Sequence, residues 1–281
     1  MHEDQRRTPG TGGLLLFWRV WSPDGASPAG RVLLSHGYAE HGGRYRHVAE
    51  RLTAAGFGVV VPDHRGHGRS EGRWVSAARF DDYVEDLHLV ARAAAAEWGD
   101  APTVLVGHSM GGLIAAVYAL HHASELRGLV LSAPAVISPQ VTGAAVAAGR
   151  VLSRITPELG VMKLPLRKIS RDPEVVAAYL ADPLVHPRRV RARLGAEMLR
   201  AMEEVAAGLP RLTLPVLAMQ GSEDALVDPS AAAYVHARVG SAERALRVYP
   251  GLYHEIFNEP EREQVLNDLV EWVGPRLRPE R

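Results

Sequence analysis

The chain of 281 residues contains no cysteine. Disulfide bridges, thiolate metal sites and a cysteine nucleophile are therefore excluded. Lysine is nearly missing too: Lys163 and Lys168 are the only two, and the other basic residues are arginine. Neither sign of charge dominates, with 32 basic against 32 acidic residues. Such a balance gives no bulk attraction for nucleic acid or anionic lipid. No stretch approaches eighteen uninterrupted apolar residues, so no membrane span is expected. The run Leu14 to Trp18 is too short for a signal peptide and is interrupted by Arg19. A cytoplasmic protein, at most peripheral at membranes, is the expectation. Gly-x-Gly-x-x-Gly is absent from every strand–helix turn, which argues against a dinucleotide cofactor. His64 and His67 lie close in sequence, but no carboxylate–histidine cluster completes a metal site, so neither metal nor cofactor is expected.

What is present is an alternation. Apolar residues make up 47% and charged residues 23%, values of a soluble globular protein long enough for one large α/β domain with an insertion. Two edge strands are expected near Leu14–Trp21. Strands follow at Val32–Ser35, Gly58–Pro62, Thr103–Gly107 and Leu129–Ser132. Helices at Tyr45–Ala55, Phe80–Trp98 and after the third of these strands, to His122, separate them. The pattern implies a mostly parallel central sheet flanked by helices. From Ala135 to about Leu209 no strand signal appears, and prolines punctuate helical segments. Alternation resumes with Pro215–Gly221 (strand), Ser230–Val239 (helix), Ala245–Tyr249 (strand) and Pro260–Leu277 (helix). The expected organisation is a core of residues 1–134 and 210–281 with a helical cap, 135–209, inserted at the sheet's carboxyl edge, where ligands bind in such folds. The first cap helix, about Gln140 to Ile155, is strongly apolar. It reads either as a packed helix or as a lid that lines an acyl channel and touches membranes or micelles.

The most specific local signal is Val104-Leu105-Val106-Gly107-His108-Ser109-Met110-Gly111-Gly112. A β-branched run meets Gly-x-Ser-x-Gly, and a buried helical pattern follows at once. This is the layout of a nucleophile elbow, with Ser109 on a strained strand-to-helix turn. The bland alternative is a glycine-rich turn that merely contains serine. A serine nucleophile needs a base, a carboxylate to orient that base, and donors for the oxyanion. Acid and histidine should each follow a later strand. His254 is the only histidine beyond the last strand and is the candidate base. Asp224 lies close after the end of the preceding strand and is the favoured acid over the adjacent Glu223; Asp228 reads better as a helix cap ahead of Pro229. The backbone N–H groups of Met110 and Tyr38 are the candidate oxyanion donors, the latter in the loop His36-Gly37-Tyr38-Ala39-Glu40-His41. Asp63 is a weak rival nucleophile, because the elbow itself carries Ser109.

These motifs, with Asp63-His64-Arg65-Gly66-His67-Gly68-Arg69-Ser70, Ser170-Arg171-Asp172-Pro173-Glu174-Val175-Val176, Tyr179-Leu180-Ala181-Asp182-Pro183-Leu184-Val185-His186 and Tyr249-Pro250-Gly251-Leu252-Tyr253-His254-Glu255-Ile256-Phe257-Asn258-Glu259-Pro260, carry a resemblance along nearly the whole chain. The sequence resembles the monoacylglycerol lipases, in particular the bacterial, mycobacterial-type enzymes. The resemblance implies the α/β-hydrolase fold and cleavage of a lipid ester substrate, a monoacylglycerol, to glycerol and fatty acid. It implies that Ser109 attacks, His254 shuttles the proton and Asp224 holds His254. It further implies that Glu40, Arg44, His108 and Tyr179 surround the glycerol head. Tyr38 is bulkier than the small residue some relatives carry there. A lysophospholipase or broad carboxylesterase is the alternative on the same scaffold, with Arg188, Arg189, Arg191 and Arg193 available for a charged headgroup. A non-enzymatic receptor is disfavoured by the intact serine, acid and histidine.

Overall fold

The computed structural model describes residues 1–278 apart from 26, 100 and 188. In chain order the sheet and its flanking helices begin with β1 (His2–Pro9), β2 (Leu15–Ser22), β3 (Arg31–Ser35), α1 (Arg46–Ala54), β4 (Gly58–Pro62), α2 (Asp81–Trp98), β5 (Thr103–His108), α3 (Met110–His122) and β6 (Gly128–Ser132). The chain then leaves the sheet for α4 (Gly143–Ile155), β7 (Gly160–Met162), α5 (Pro173–Ala181), β8 (Val190–Arg191) and α6 (Ala192–Gly208). It returns through β9 (Val216–Gly221), α7 (Ala231–Arg238), β10 (Arg244–Tyr249) and α8 (Arg262–Leu277).

Eight strands form one sheet in the order β1-β2-β4-β3-β5-β6-β9-β10. The β1–β2 and β2–β4 pairs are antiparallel and the others parallel. The inner strands read as continuous apolar runs because both faces are covered. Successive residues still go to opposite sides. Leu33, Val60, Leu105, Leu129 and Leu131 join the core beneath α2, α3, α6 and α7. Val32, Leu34, Val59, Val61, Val104, Val106 and Val130 join the core beneath α1 and α8.

Three local outcomes differ from the sequence expectations. The two opening strands are not both near Leu14–Trp21: the outermost is the polar segment His2–Pro9, paired residue for residue with β2 from His2↔Ser22 to Pro9↔Leu15. An edge strand of this kind is held by backbone pairing and needs no apolar alternation. Second, a small antiparallel ribbon, β7–β8, lies within the stretch expected to hold no strand. Third, the apolar helix starts at Gly143 rather than Gln140, because the Thr142 side chain caps it by accepting from Ala145 N at 3.3 Å. One face of α6 (Leu194, Ala201, Val205) enters the same core as α2 and α3. The exposed parts of the 135–209 stretch include α4, the β7 region and much of α5.

Candidate active site

The registers of the parallel strands bring the carboxyl ends of five strands, β3, β5, β6, β9 and β10, into one row. Ser35 pairs with Gly107, His108 with Ser132, Ser132 with Met219, and Tyr249 with Gly221. The loops that leave these ends carry the candidate oxyanion donor, the serine, the acid and the histidine. Two of the loops are also bonded to each other. Ser222 N donates to Tyr249 O at 3.0 Å, Glu223 N to Leu252 O at 3.0 Å, and Gly251 N to Ser222 Oγ at 2.8 Å.

Ser109 sits at φ 55°, ψ −120°, outside the regions an L-residue prefers. Strain of this kind costs about 1–3 kcal/mol and persists only where the surroundings over-determine it. Here Ser109 N donates to Ser132 O at 3.0 Å, while Ser109 O accepts from Gly112 N at 2.9 Å and Ala135 N at 3.0 Å. The flanking glycines are required by close approach. A Cβ on Gly107 would lie 2.4 Å from Gly111 O, and one on Gly111 would lie 2.1 Å from Ser35 O and 2.3 Å from His36 O. α3 begins at Met110 directly after the turn, so the Met110 N–H has no acceptor within the helix. The Met110 side chain is buried in the core.

His254 and Asp224 form a buried pair, with His254 Nδ1 2.7 Å from Asp224 Oδ2. The carboxylate accepts, so Nδ1 carries the proton and the Nε2 lone pair is free. Asp224 is itself fixed by three donors: Gln220 Nε2 at 2.7 Å, Leu226 N at 2.8 Å and Val227 N at 3.0 Å. Burial would depress the basicity of His254, but the Asp224 charge and hydrogen bond, aided by Glu255 and Glu40, hold its pKa above the ordinary 6.5. Burial works the other way on Asp224, and there His254 and the two backbone donors win and keep the pKa below 3.8. Asp228, the alternative acid, accepts from Ser230 N at 2.9 Å and caps the turn into α7. Glu223 is exposed.

Ser109, His254, Gly37, Tyr38, Glu40, His108, Tyr179 and Glu255 line one narrow cleft that opens to solvent. Leu164, Leu166, Ile169 and Leu226 complete its apolar side. Gly37 N donates to Glu40 Oε1 at 2.6 Å, and Tyr45 OH to the same oxygen at 2.7 Å, so Glu40 organises the loop that holds Tyr38. His108 Nδ1 lies 3.1 Å from Ser132 Oγ; burial, then the neighbouring His254, push its pKa down to about 3. Arg44 contacts three of the residues that line the cleft. Its guanidinium bonds Glu40 and takes Glu255 in a two-pronged contact at 2.8 and 2.7 Å, and it lies 4.6 Å above the Tyr179 ring.

Sequence reasoning did not single out Glu255 or the aliphatic wall. Glu255 follows His254 directly, but no spacing rule links it to Arg44. Asp63 is fully buried and accepts from Arg19 Nη1 at 2.9 Å, Gly42 N at 2.8 Å and Arg69 N at 2.8 Å, a bracing role within the fold. His64 and His67 are also buried, packed with His36. Among the described residues, one histidine–carboxylate group has ligand atoms close enough for a metal: His88, His122 and Glu125. It lies near the far end of α3, about 20 Å of helix rise from Ser109. The His88 and His122 rings are stacked at 14°, so their lone pairs do not converge on one ion without ring rotation. Of the arginines considered for a charged headgroup, Arg188 lies outside the described residues, Arg189 is exposed and Arg191 bonds Glu158.

Comparison with known proteins agrees along most of the chain. The family model described as serine aminopeptidase, S33, matches residues 26–261. A monoacylglycerol lipase of Mycolicibacterium smegmatis is 42% identical over 269 residues, covering 95% of this chain and 96% of that protein. A human monoglyceride lipase is 34% identical, covering 94% and 88%. The crystal structure of a Paleococcus ferrophilus monoacylglycerol lipase superposes with a TM-score of 0.80 at 32% identity, covering 98% of this chain and all of that one.

Proposed function

Because the chain belongs to the monoacylglycerol lipase family of α/β-hydrolases, we propose that it hydrolyses monoacylglycerols to glycerol and fatty acid through an acyl-enzyme on Ser109. The observation that carries the reading is one cleft with two chemistries. Ser109 and the Asp224-held His254 share it with four aliphatic side chains and with the carboxylates of Glu40 and Glu255. Aliphatic walls suit a single acyl chain, and carboxylates accept hydrogen bonds from glycerol hydroxyls.

In the proposed reaction Ser109 Oγ attacks the ester carbonyl carbon and its proton passes to His254 Nε2. The Tyr38 and Met110 N–H groups hold the resulting oxyanion. The intermediate collapses by breaking the bond to the glycerol oxygen, which takes the proton from His254. Water then attacks acyl-Ser109, gives a proton to His254, and the fatty acid leaves as Ser109 regains its hydrogen. Asp224 stabilises the imidazolium at each stage. His108, kept neutral by burial, and Tyr179 shape the polar end.

Residues 135–209 act in this reading as the cap over the cleft. α4 and the segment after it present Val151 (55% exposed), Ile155 (73%), Leu159, Val161 and Met162 to solvent. This apolar patch suits transient contact with a micelle or bilayer, from which a single-chain ester would be drawn. No helix among the described residues is long and apolar enough to cross a membrane. The cleft's acidic lining opposes a phosphate-bearing headgroup and so favours the neutral glycerol ester over a lysophospholipid.

The test is a rate comparison of the purified protein on monoacyl-, diacyl- and triacylglycerols and on lysophospholipids of matched acyl chain, with glycerol release measured directly. Monoacylglycerol should be preferred by at least roughly tenfold in kcat/KM, a difference of about 1.4 kcal/mol in transition-state stabilisation. Equal or faster cleavage of the lysophospholipid would reverse the substrate assignment.

A further inference from the structure

Glu255 has no part in the proton transfers above, yet its placement joins the loops of the site to one another and to the 135–209 stretch. Its backbone N–H donates to Ile169 O at 2.7 Å, in the stretch proposed as the cap. Its carboxylate takes both arms of Arg44, and Asn258 Nδ2 donates to it at 2.8 Å. Arg44 continues to Glu40, whose other oxygen holds the Gly37 N–H, and its guanidinium plane covers Tyr179 of α5. The oxyanion loop is bonded to the same stretch nearby: His186 N donates to Ala39 O at 3.0 Å, and His41 Nε2 lies 2.9 Å from Asp182 Oδ2.

The cluster is also unbalanced in charge. Glu40 accepts from Gly37, Tyr45 and Arg44, a set of donors that suits a carboxylate. Glu40 and Glu255 together oppose the single charge of Arg44, leaving one net negative charge buried beside His254. We propose that Glu255, clamped by Arg44, is a positioning residue for ester hydrolysis: it fixes the His254 loop against the oxyanion loop and cap, and the cluster's excess negative charge stabilises the imidazolium that forms on His254. The proposal rests on the serine-hydrolase reading of Ser109.

The titratable and charged groups of the cluster around His254 define what its titration reports. Asp224 comes from the loop after β9, and Glu40, Arg44 and Tyr45 from the loop after β3 and the turn into α1. His108 comes from the end of β5 with its ring 4.8 Å from His254, and Tyr179 from α5. His108 is held neutral by burial, and the two phenols are pushed above their ordinary 10, first by burial. Arg44 stays charged, and Glu255 is held low chiefly by Arg44, which outweighs its burial. Over the working range the charges that bear on His254 are therefore those of Asp224, Glu40, Glu255 and Arg44.

Glu255→Gln removes one of these charges and keeps an oxygen for Arg44. The kcat/KM–pH profile should be measured on a soluble short-chain ester and on monoacylglycerol. The acid limb should move down by roughly 0.5–1 pH unit, because the imidazolium has lost a favourable charge. On both esters kcat should fall roughly tenfold with KM changed less than about threefold. Glu255→Asp, which keeps the charge, should return the limb to its wild-type position even where kcat stays low. If Glu255→Gln does not fold, Glu40→Gln removes the other carboxylate charge and carries the same expectation of a downward limb. An unmoved limb, with losses confined to KM or thermal stability, would reduce Glu255 to a structural brace and overturn the proposal. A wild-type protein inactive on both esters would remove the hydrolase reading as well; an active wild type with an unmoved limb removes the positioning role alone.

Discussion

Acid should unfold this protein earlier than its carboxylates would dictate, because four histidines are buried in neutral form. His36 is the clearest case. Its Nε2 accepts the His64 N–H at 2.9 Å and its Nδ1 lies 2.8 Å from Gly37 O, so a second ring proton would have to displace a backbone donor. Burial, followed by the neighbouring imidazoles His64 and His67, lowers its pKa well below 6.5. Burial first, and then His67, brings His64 down to about 3; burial brings His67 to about 4; burial and then His254 bring His108 to about 3. The sign follows from these directions. The unfolded chain binds these protons near pH 6.5 and the folded chain does not, so stability is fully present above 6.5 and falls as the pH drops toward 3–4. At pH 5.5 each unfolded histidine is about nine-tenths protonated, a loss of about 1.4 kcal/mol per residue. Four such residues amount to roughly 6 kcal/mol, comparable with the whole stability of many domains. His254 works in the opposite sense. Its raised pKa adds stability that is present below 6.5 and lost as pH rises through the folded value, and it offsets part of the fall. Asp224 and Glu255, both depressed, lose their contribution only below about pH 4.5 and leave this window alone. Urea unfolding at closely spaced pH values between 8 and 5 measures the slope directly. The reasoning requires an uptake of about three to four protons on unfolding near pH 5.5. A stability constant to within about 1 kcal/mol from pH 8 to 5 would refute it.

Ser109→Ala should lower ester hydrolysis by about 10⁴-fold or more while leaving the unfolding transition in place. A serine-directed organophosphate should then label the wild type once and this variant not at all, as read by intact mass. Gly111→Ala forces a Cβ to within 2.1 Å of Ser35 O, a backbone atom of β3, and should cost at least about 3 kcal/mol in urea unfolding. Gly149→Ala in α4, with nothing within 4 Å of the new Cβ, should instead stabilise by about 0.5–1 kcal/mol. Similar values for the two glycines would undo the elbow argument. Asp63→Ala leaves Arg19 buried without its partner and should destabilise by about 3–5 kcal/mol. Its kcat on a soluble ester, measured per folded molecule, should stay within a few-fold of wild type; a loss as large as that of Ser109→Ala would reinstate Asp63 as a nucleophile.

What was readable in the residues follows from where the physical signal is local. Val59-Val60-Val61 and Val104-Leu105-Val106 announce parallel strands because both of their faces are buried; Ser109 and Asp224 stand out because each follows such a strand closely, and His254 because it follows the last strand, the half-exposed edge strand β10. The segment His2–Pro9 carries no comparable signal, since an edge strand earns its order from pairing with β2 and leaves polar side chains facing water. β7 and β8 are three and two residues long, too short to show any period. The same logic separates the groups proposed to react from those proposed to tune them. Arg44 and Glu255 are 211 positions apart, on loops whose approach is decided by the order of strands in the sheet, and no spacing rule joins them. Read from its own neighbourhood, Arg44 is a cation beside the oxyanion loop and suits a substrate group. Once folded, its guanidinium is engaged by two carboxylates and an aromatic ring. A free guanidinium there would favour anionic headgroups, whereas one consumed by Glu40 and Glu255 leaves the cleft lined by acid. The inter-loop pairing that is invisible in the residues thus leaves the Arg44 charge engaged by carboxylates at the proposed headgroup end, which suits an uncharged ester.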